Sequence, residues 1–154
     1  EVADGAIASM TTLNATAAEA GRDAGVRAAT DVTGFGLLGH LRSMMNASGC
    51  AAEISAGAVP LLPGARELAL AGCISGGTKR NLKFVSDVTA FDNTVDPLDR
   101  LILADAQTSG GLLLCVREDA LQGLIADLGR RGTLAAAVIG TVTAGTAGTL
   151  RVGA

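Results

Sequence analysis

The sequence predicts an α/β domain in which helices pack on a mixed β-sheet, and three observations lead there. Segments with apolar residues at helical spacing alternate with short apolar runs, the rhythm of helices interleaved with strands. The chain has 154 residues, enough for a single domain (1–154) with its own core, and shows neither an internal repeat nor a long linker. It is 49% apolar but only 2% aromatic, with no Trp or Tyr. Such a core has to be assembled from Ala, Val, Leu and Ile, packed closely around many glycines.

The elements follow in order. Ile7, Met10, Leu13, Ala17 and Ala20 recur at helical spacing, with Asp4 placed to cap that helix and Gly25 to end it. Val26 to Thr30 reads as a short strand. Leu37, Leu38, Leu41 and Met45 form the next helical stripe, stopped near Gly49, and Cys50 to Ser55 is a second strand. Pro63 suits the first turn of a short helix that Gly72 ends. Ile74 to Asn81 reads as a loop, and Leu82 to Asp92 fits either strand or loop. Asp96-Pro97 starts a helix with Leu98, Leu101 and Ile102 on one face. Gln107 to Gly111 is a polar loop opening into a strand from Leu112 to Arg117. Leu121, Leu124, Ile125 and Leu128 make an amphipathic helix ended around Gly129 to Gly132. Ala135 to Val142 and Thr149 to Val152 close the chain as two strands joined by Thr-Ala-Gly turns.

Composition also excludes classes of function. A net charge of −3 and three aromatic residues argue against nucleic acid, which requires a basic footprint and often stacking platforms. The longest apolar stretches, such as Leu112 to Val116, fall far short of the ~20 residues that span a bilayer. With no visible secretory leader, the expectation is a soluble cytoplasmic protein without a membrane partner. Cys50, Cys73 and Cys115 are odd in number and far apart, and His40 is the only histidine, so no metal-type Cys/His spacing occurs. The thiols read as small buried hydrophobes. The first residue is Glu1 inside a helical pattern, which reads as part of a longer protein.

The stretch with the most chemistry begins where the first strand ends, at Thr30, Asp31 and Thr33. Two glycines follow, and a helix then starts. Free N–H groups and the positive end of a helix dipole make such turns sites for anions. A carboxylate beside a phosphate site is a plausible Mg²⁺ ligand, because Mg²⁺ takes one or two carboxylates plus phosphate oxygens. Gly34, Gly36 and Gly39 also match G-x-G-x-x-G, which invites a dinucleotide reading. That fingerprint wants its first glycine directly after an apolar strand and an acid about 20 residues on. Here the strand ends in Asp31-Val32-Thr33, and the candidate acid, Glu53, stands inside the second strand. On the local pattern alone, metal or phosphate site, dinucleotide site and purely structural turn all stand.

Gly76 to Asn81 combines two glycines, a hydroxyl, two cations and an amide, a set that cradles an anion or forms a solvated turn. It is not a Walker loop. Gln107 to Gly111 poses the same alternatives, ligand loop or helix cap. His40 can act as a general base or satisfy a local hydrogen bond. Without a nucleophile motif beside it, no catalytic residue is assigned.

Taken together, three motifs carry a resemblance. They are Thr30-Asp31-Val32-Thr33-Gly34-Phe35-Gly36-Leu37, then Gly76-Gly77-Thr78 with Asn81, then Asp105 with Gln107-Thr108-Ser109-Gly110-Gly111. In this order they resemble the selenide, water dikinase (selenophosphate synthetase) family, with Asn14, Pro60 and Ile139-Gly140 agreeing. The resemblance covers essentially the whole chain but only the C-terminal half of that enzyme, and it implies a C-terminal domain like that of aminoimidazole ribonucleotide synthetase. It implies an enzyme that converts ATP, selenide and water to selenophosphate, AMP and phosphate with Mg²⁺, as a cytoplasmic homodimer. The family's reactive Cys or selenocysteine, its Lys and most nucleotide contacts belong to the N-terminal half, this chain's implied partner, so the fragment alone is expected to be inactive. The resemblance assigns Asp31 as a metal ligand, and Gly76, Gly77, Thr78 and Asn81 as substrate- or phosphate-binding positions lining the cleft against that half. Ala106 departs from the pattern, which has proline there. The alternatives are a sister ATP-dependent enzyme, such as a hydrogenase maturation dehydratase, thiamine-phosphate kinase or aminoimidazole ribonucleotide synthetase, or a binding domain without catalysis. A dinucleotide oxidoreductase is a further rival.

Overall fold

A computed structural model describes residues 2–154. Seven helices and six strands make up the regular structure of these residues, the mixture of helix and strand that the periodicity predicts. The central helix is α3 (Gly36–Ser48), preceded by α1 (Val2–Thr11), α2 (Ala15–Asp23) and strand β1 (Ala28–Asp31). The predicted stripe of α3 is all inside: Leu37, Leu38, Leu41 and Met45 are buried, and Met44 joins them.

Against α3 lies a four-stranded mixed sheet. Strand β2 (Ala51–Ser55) runs antiparallel to β5 (Gly140–Thr143) and parallel to β6 (Leu150–Gly153), while β3 (Thr89–Phe91) adds to β6 in parallel. The order is β3-β6-β2-β5. Alternation along the strands puts Ala52, Ile54, Leu150 and Val152 in the core and leaves Glu53 and Arg151 exposed. Val85, Val95, Leu103 and Ala104 complete this cluster. A separate antiparallel pair joins β1 to β4 (Leu112–Cys115), with Asp31 opposite Leu112. It carries a second, smaller cluster in which Ala20 of α2 meets Leu124 and Leu128 of α7 (Glu118–Arg130). Arg131 ties the same two helices, donating to Asp23 at 2.7 Å and to Asp127 at 2.8 Å.

The remaining helices are α4 (Ala65–Leu70), α5 (Gly76–Val85) and α6 (Pro97–Leu103). Asp96 caps α6 as expected, accepting from the Leu98 N–H at 2.8 Å. Arg66 of α4 pairs with Asp99 of α6. Among the described residues no helix is long and apolar enough to cross a membrane.

Four readings of the sequence need correction. The first helical stripe belongs to two helices, because Thr11 and Thr12 donate their hydroxyls to Ile7 O and Ala8 O, at 2.9 and 2.7 Å, and the chain turns there. Residues 74–81 are not a loop: the helix α5 starts at Gly76, with Ser75 as its N-cap accepting from the Thr78 N–H at 3.1 Å. The strand read from Ala135 starts only at Gly140, since β2 spans five residues and offers no ladder beyond Ser55. Cys73 is exposed, and Cys50 and Cys115 are only half-buried, so none of the thiols is a fully buried hydrophobe.

Candidate functional site

Three loops meet at the carboxyl end of β1, and backbone bonds lock them together. Val32 N–H donates to Gly111 O at 2.9 Å, Gly110 N–H donates back to Val32 O at 3.0 Å, and Gln107 N–H donates to Thr33 O at 3.1 Å. The fit is close enough to dictate residue type. A side chain on Gly110 would strike Val32 O and the Gln107 side chain. One on Gly36, whose φ is +69°, would begin 2.6 Å from the Ala104 carbonyl carbon and 2.8 Å from Asp105 O. Gly36 of the G-x-G-x-x-G match therefore serves loop packing, and Gly39 makes room for the Phe35 side chain of its own turn, whereas a side chain on Gly34 would meet nothing within 4 Å. Asn14, at the start of α2, braces the assembly by donating its amide to Gly110 O at 2.9 Å.

The third loop is the start of α5. Thr78 is 1% exposed, and its hydroxyl donates to Asp105 Oδ1 at 2.7 Å. With that hydrogen committed, its lone pairs accept from Ser75 Oγ at 3.0 Å and from the Ala106 N–H at 3.3 Å. The proline expected from the resemblance at position 106 has no N–H, so this chain's alanine adds a bond to the network. Asn81 donates its side-chain amide to Gly34 O at 2.8 Å and to Ala104 O at 3.1 Å. Thr78 and Asn81 thus hold α5 to the other two loops, with their polar atoms turned inward.

Gly76 and Gly77 lie in the first turn of α5. Ser75 Oγ takes the Thr78 N–H, which leaves the two glycine N–H groups as free donors among the described residues. Arg80 folds back over them, its Nη1 3.3 Å from where a Gly76 side chain would begin. A cation at the positive end of a helix is unfavourable by about 0.3–1 kcal/mol, an arrangement that an anion would relieve.

Asp31 ends β1 exposed, and no hydrogen bond or ion pair reaches its carboxylate among the described residues. Two residues on, Thr33 Oγ1 lies 3.1 Å from His40 Nε2, and the exposed Phe35 ring tilts over His40 at 5.8 Å between centroids. The histidine is therefore engaged in fixing the turn. No group of three or more His, Cys, Asp or Glu that could hold a metal occurs among the described residues, so Asp31 could supply only part of a metal shell.

Sequence reasoning missed the scaffold roles of Ser75 and of the Thr78–Asp105 pair. The signal was present: Ser75 precedes Thr78, Leu82 and Val85 at helical spacing, a cap followed by a buried stripe.

Several known proteins are similar to this chain in sequence or in fold. Selenide, water dikinase of Porphyromonas gingivalis is 46% identical over 144 residues, which are 93% of this chain and 41% of that protein. The Carboxydothermus hydrogenoformans protein of the same name is 43% identical over 134 residues, 87% of this chain and 38% of its own length. This chain thus spans about two-fifths of the relatives that it matches. The crystal structure of hydrogenase maturation protein HypE in complex with ATP aligns with a TM-score of 0.50 at 19% identity, covering 84% of this chain and 33% of that one. At that identity the likeness is one of fold. Because residues 5–153 match the family described as AIR synthase related protein, C-terminal domain, the chain belongs to that family.

Proposed function

We propose that this chain is the C-terminal part of an ATP-dependent enzyme that makes selenophosphate from selenide, ATP and water, releasing AMP and phosphate. One observation carries the reading: Asp31, the motif's carboxylate, stands exposed and unpaired at the end of β1, on a base of three interlocked loops. A rigid base for a carboxylate with no partner in its own domain suits a metal ligand better than a packing residue. The 46% identity to a selenide, water dikinase supports the choice of substrate. The fold shared with HypE supports the use of ATP within this group of proteins.

In this reading Asp31 supplies one ligand to Mg²⁺, whose remaining ligands are phosphate oxygens and groups from the rest of the enzyme. The ion, when bound, offsets phosphate charge. The free N–H groups of Gly76 and Gly77, with Arg80 over them, face a phosphate or substrate oxyanion. Thr78 and Asn81 contribute by holding that helix start against the other loops. The nucleophile and most nucleotide contacts come from the N-terminal half, and the whole protein works as a cytoplasmic homodimer.

The test uses a full-length chimera in which this chain replaces the matching stretch of the P. gingivalis enzyme. Two unit charges 4 Å apart interact by about 4 kcal/mol at an effective dielectric of 20, and losing half of that is about thirtyfold. Asp31→Asn should lower selenide-dependent AMP formation by about that factor, with partial rescue at high Mg²⁺ and an unchanged melting curve. Normal activity at limiting Mg²⁺ would remove Asp31 from the metal site.

A further inference from the structure

The four-stranded sheet has two open edges, β3 and β5, and they are built differently. The β3 edge is three residues long and flanked by Asp87 and Asp92, charges of the kind that keep an edge strand from pairing with another chain. The β5 edge has no such guard. No residue between Arg131 and Arg151 is charged or is a proline. Gly140, Thr141 and Val142 are all exposed, and the apolar side chains Leu134 and Val138, 68% and 48% exposed, lead up to them.

The ladder to β2 fixes which backbone groups of β5 are free. Ser55 N–H donates to Ile139 O at 2.9 Å, so the hydrogen-bonded pairs of this antiparallel ladder are Ser55–Ile139, Glu53–Thr141 and Ala51–Thr143. Gly140 and Val142 occupy the alternate positions, with N–H and C=O directed away from β2 toward the open edge. These groups suit a strand running antiparallel to β5, and β5 is itself such a strand. About a two-fold axis at Thr141, Gly140 lies opposite Val142 of a second copy and exchanges both backbone bonds with it.

The side chains fit the same axis. Val142 lies on the face of Ala52 and Ile54, opposite a glycine of the second copy that leaves it room. Thr141 meets Thr141 on the face of Glu53, where facing threonines hydrogen-bond. A two-fold sets like charges against each other, and this strand carries none. A foreign strand would be selected by charges or by pockets for its side chains, and Gly140, Thr141 and Val142 offer no charge and no large side chain.

We infer that β5 is a self-association edge: two copies of this chain pair antiparallel through Gly140–Val142 about Thr141 and join their sheets into one. The edge belongs to a different sheet from Asp31, and the inference is independent of the proposed reaction.

One strand pair with short side chains is smaller than the roughly 1,600 Å² of a standard interface, so the association is weak. The isolated chain should sediment as a monomer below about 10 µM and shift toward twice that mass near about 1 mM. Thr141→Lys sets like charges on the axis and should weaken association at least about tenfold with an unchanged melting curve, while mixing it with Thr141→Glu should restore it. Val142→Pro removes a donor that the β2 ladder does not use and should act likewise. On mild oxidation Thr141→Cys should form disulfide-linked pairs above the parent's level in both the isolated chain and the chimera, because the axis brings the two Cα atoms to about 4.5 Å. Thr143→Cys, off the axis, should not. A chain still monomeric near about 1 mM would overturn the inference. So would association that Ile7→Lys with Met10→Lys abolishes and Thr141→Lys leaves intact, which would move the contact to α1. Failure of the Thr141→Cys cross-link in the chimera would equally refute it, since the rest of the enzyme would then cover the edge.

Discussion

Removing the Thr78 hydroxyl at constant volume is the most direct probe of the loop assembly. Thr78→Val leaves no cavity, so the measured effect is that of the hydrogen bonds. The hydroxyl donates to the Asp105 carboxylate at 2.7 Å, a bond to a charged group worth about 1.5–3 kcal/mol. The Ala106 N–H loses its acceptor, at 3.3 Å a weaker bond. The exposed Ser75 recovers water, and the half-buried Asp105 recovers part of its hydration. A net loss of about 2–4 kcal/mol follows, which for a domain of this size lowers Tm by roughly 5–15 °C. Urea unfolding of the isolated chain, followed by circular dichroism, should show a lower midpoint at unchanged slope. Pairing Thr78→Val with Asp105→Asn should give much less than the two single losses added together, since the partners share the bond. A Thr78→Val chain that melts within about a degree of the parent would refute the reasoning and return Thr78 to direct contact with a ligand.

Other outcomes are equally specific. Gly36→Ala places a methyl against the Ala104 and Asp105 carbonyls at a φ of +69°, and should destabilise by about 2–5 kcal/mol in the same urea assay. Thr89 Oγ1 is buried without a partner among the described residues, so Thr89→Val should raise stability by about 1 kcal/mol, read as a higher midpoint. Burial, and secondarily the Cys50 thiol, push the Cys115 thiol above its ordinary range, so iodoacetamide at neutral pH should label the exposed Cys73 first, as mass spectrometry would show. A raised folded value means that the contribution of Cys115 to stability is complete below the ordinary thiol pKa of about 8.5 and is lost as pH climbs past it. Cys115→Val should therefore flatten the alkaline decline of the urea midpoint.

Much of this protein was legible in the residues themselves. The stripe Leu37, Leu38, Leu41 and Met45 identifies a buried helix because its period matches 3.6 residues per turn, whatever surrounds it. Asp96-Pro97 caps its helix with groups only one or two residues apart. The order of the three glycine-containing motifs sufficed to indicate the family, since motif order is a property of the chain and not of its packing. Tertiary structure decided the rest, where the controlling partner is distant in sequence. Two glycines at its start make α5 a poor helix by propensity. It forms because Ser75 caps it, Val85 is buried, and Thr78 and Asn81 bond residues around positions 34 and 105. Those bonds also turn Thr78 inward, which no reading of Gly76 to Asn81 alone could reveal. Conversely, the spacing of Ile7, Met10 and Leu13 announces an apolar face, but periodicity says only that a face exists. Whether its own domain covers that face depends on where the helix lies, and among the described residues Ile7, Met10 and Leu13 stay exposed.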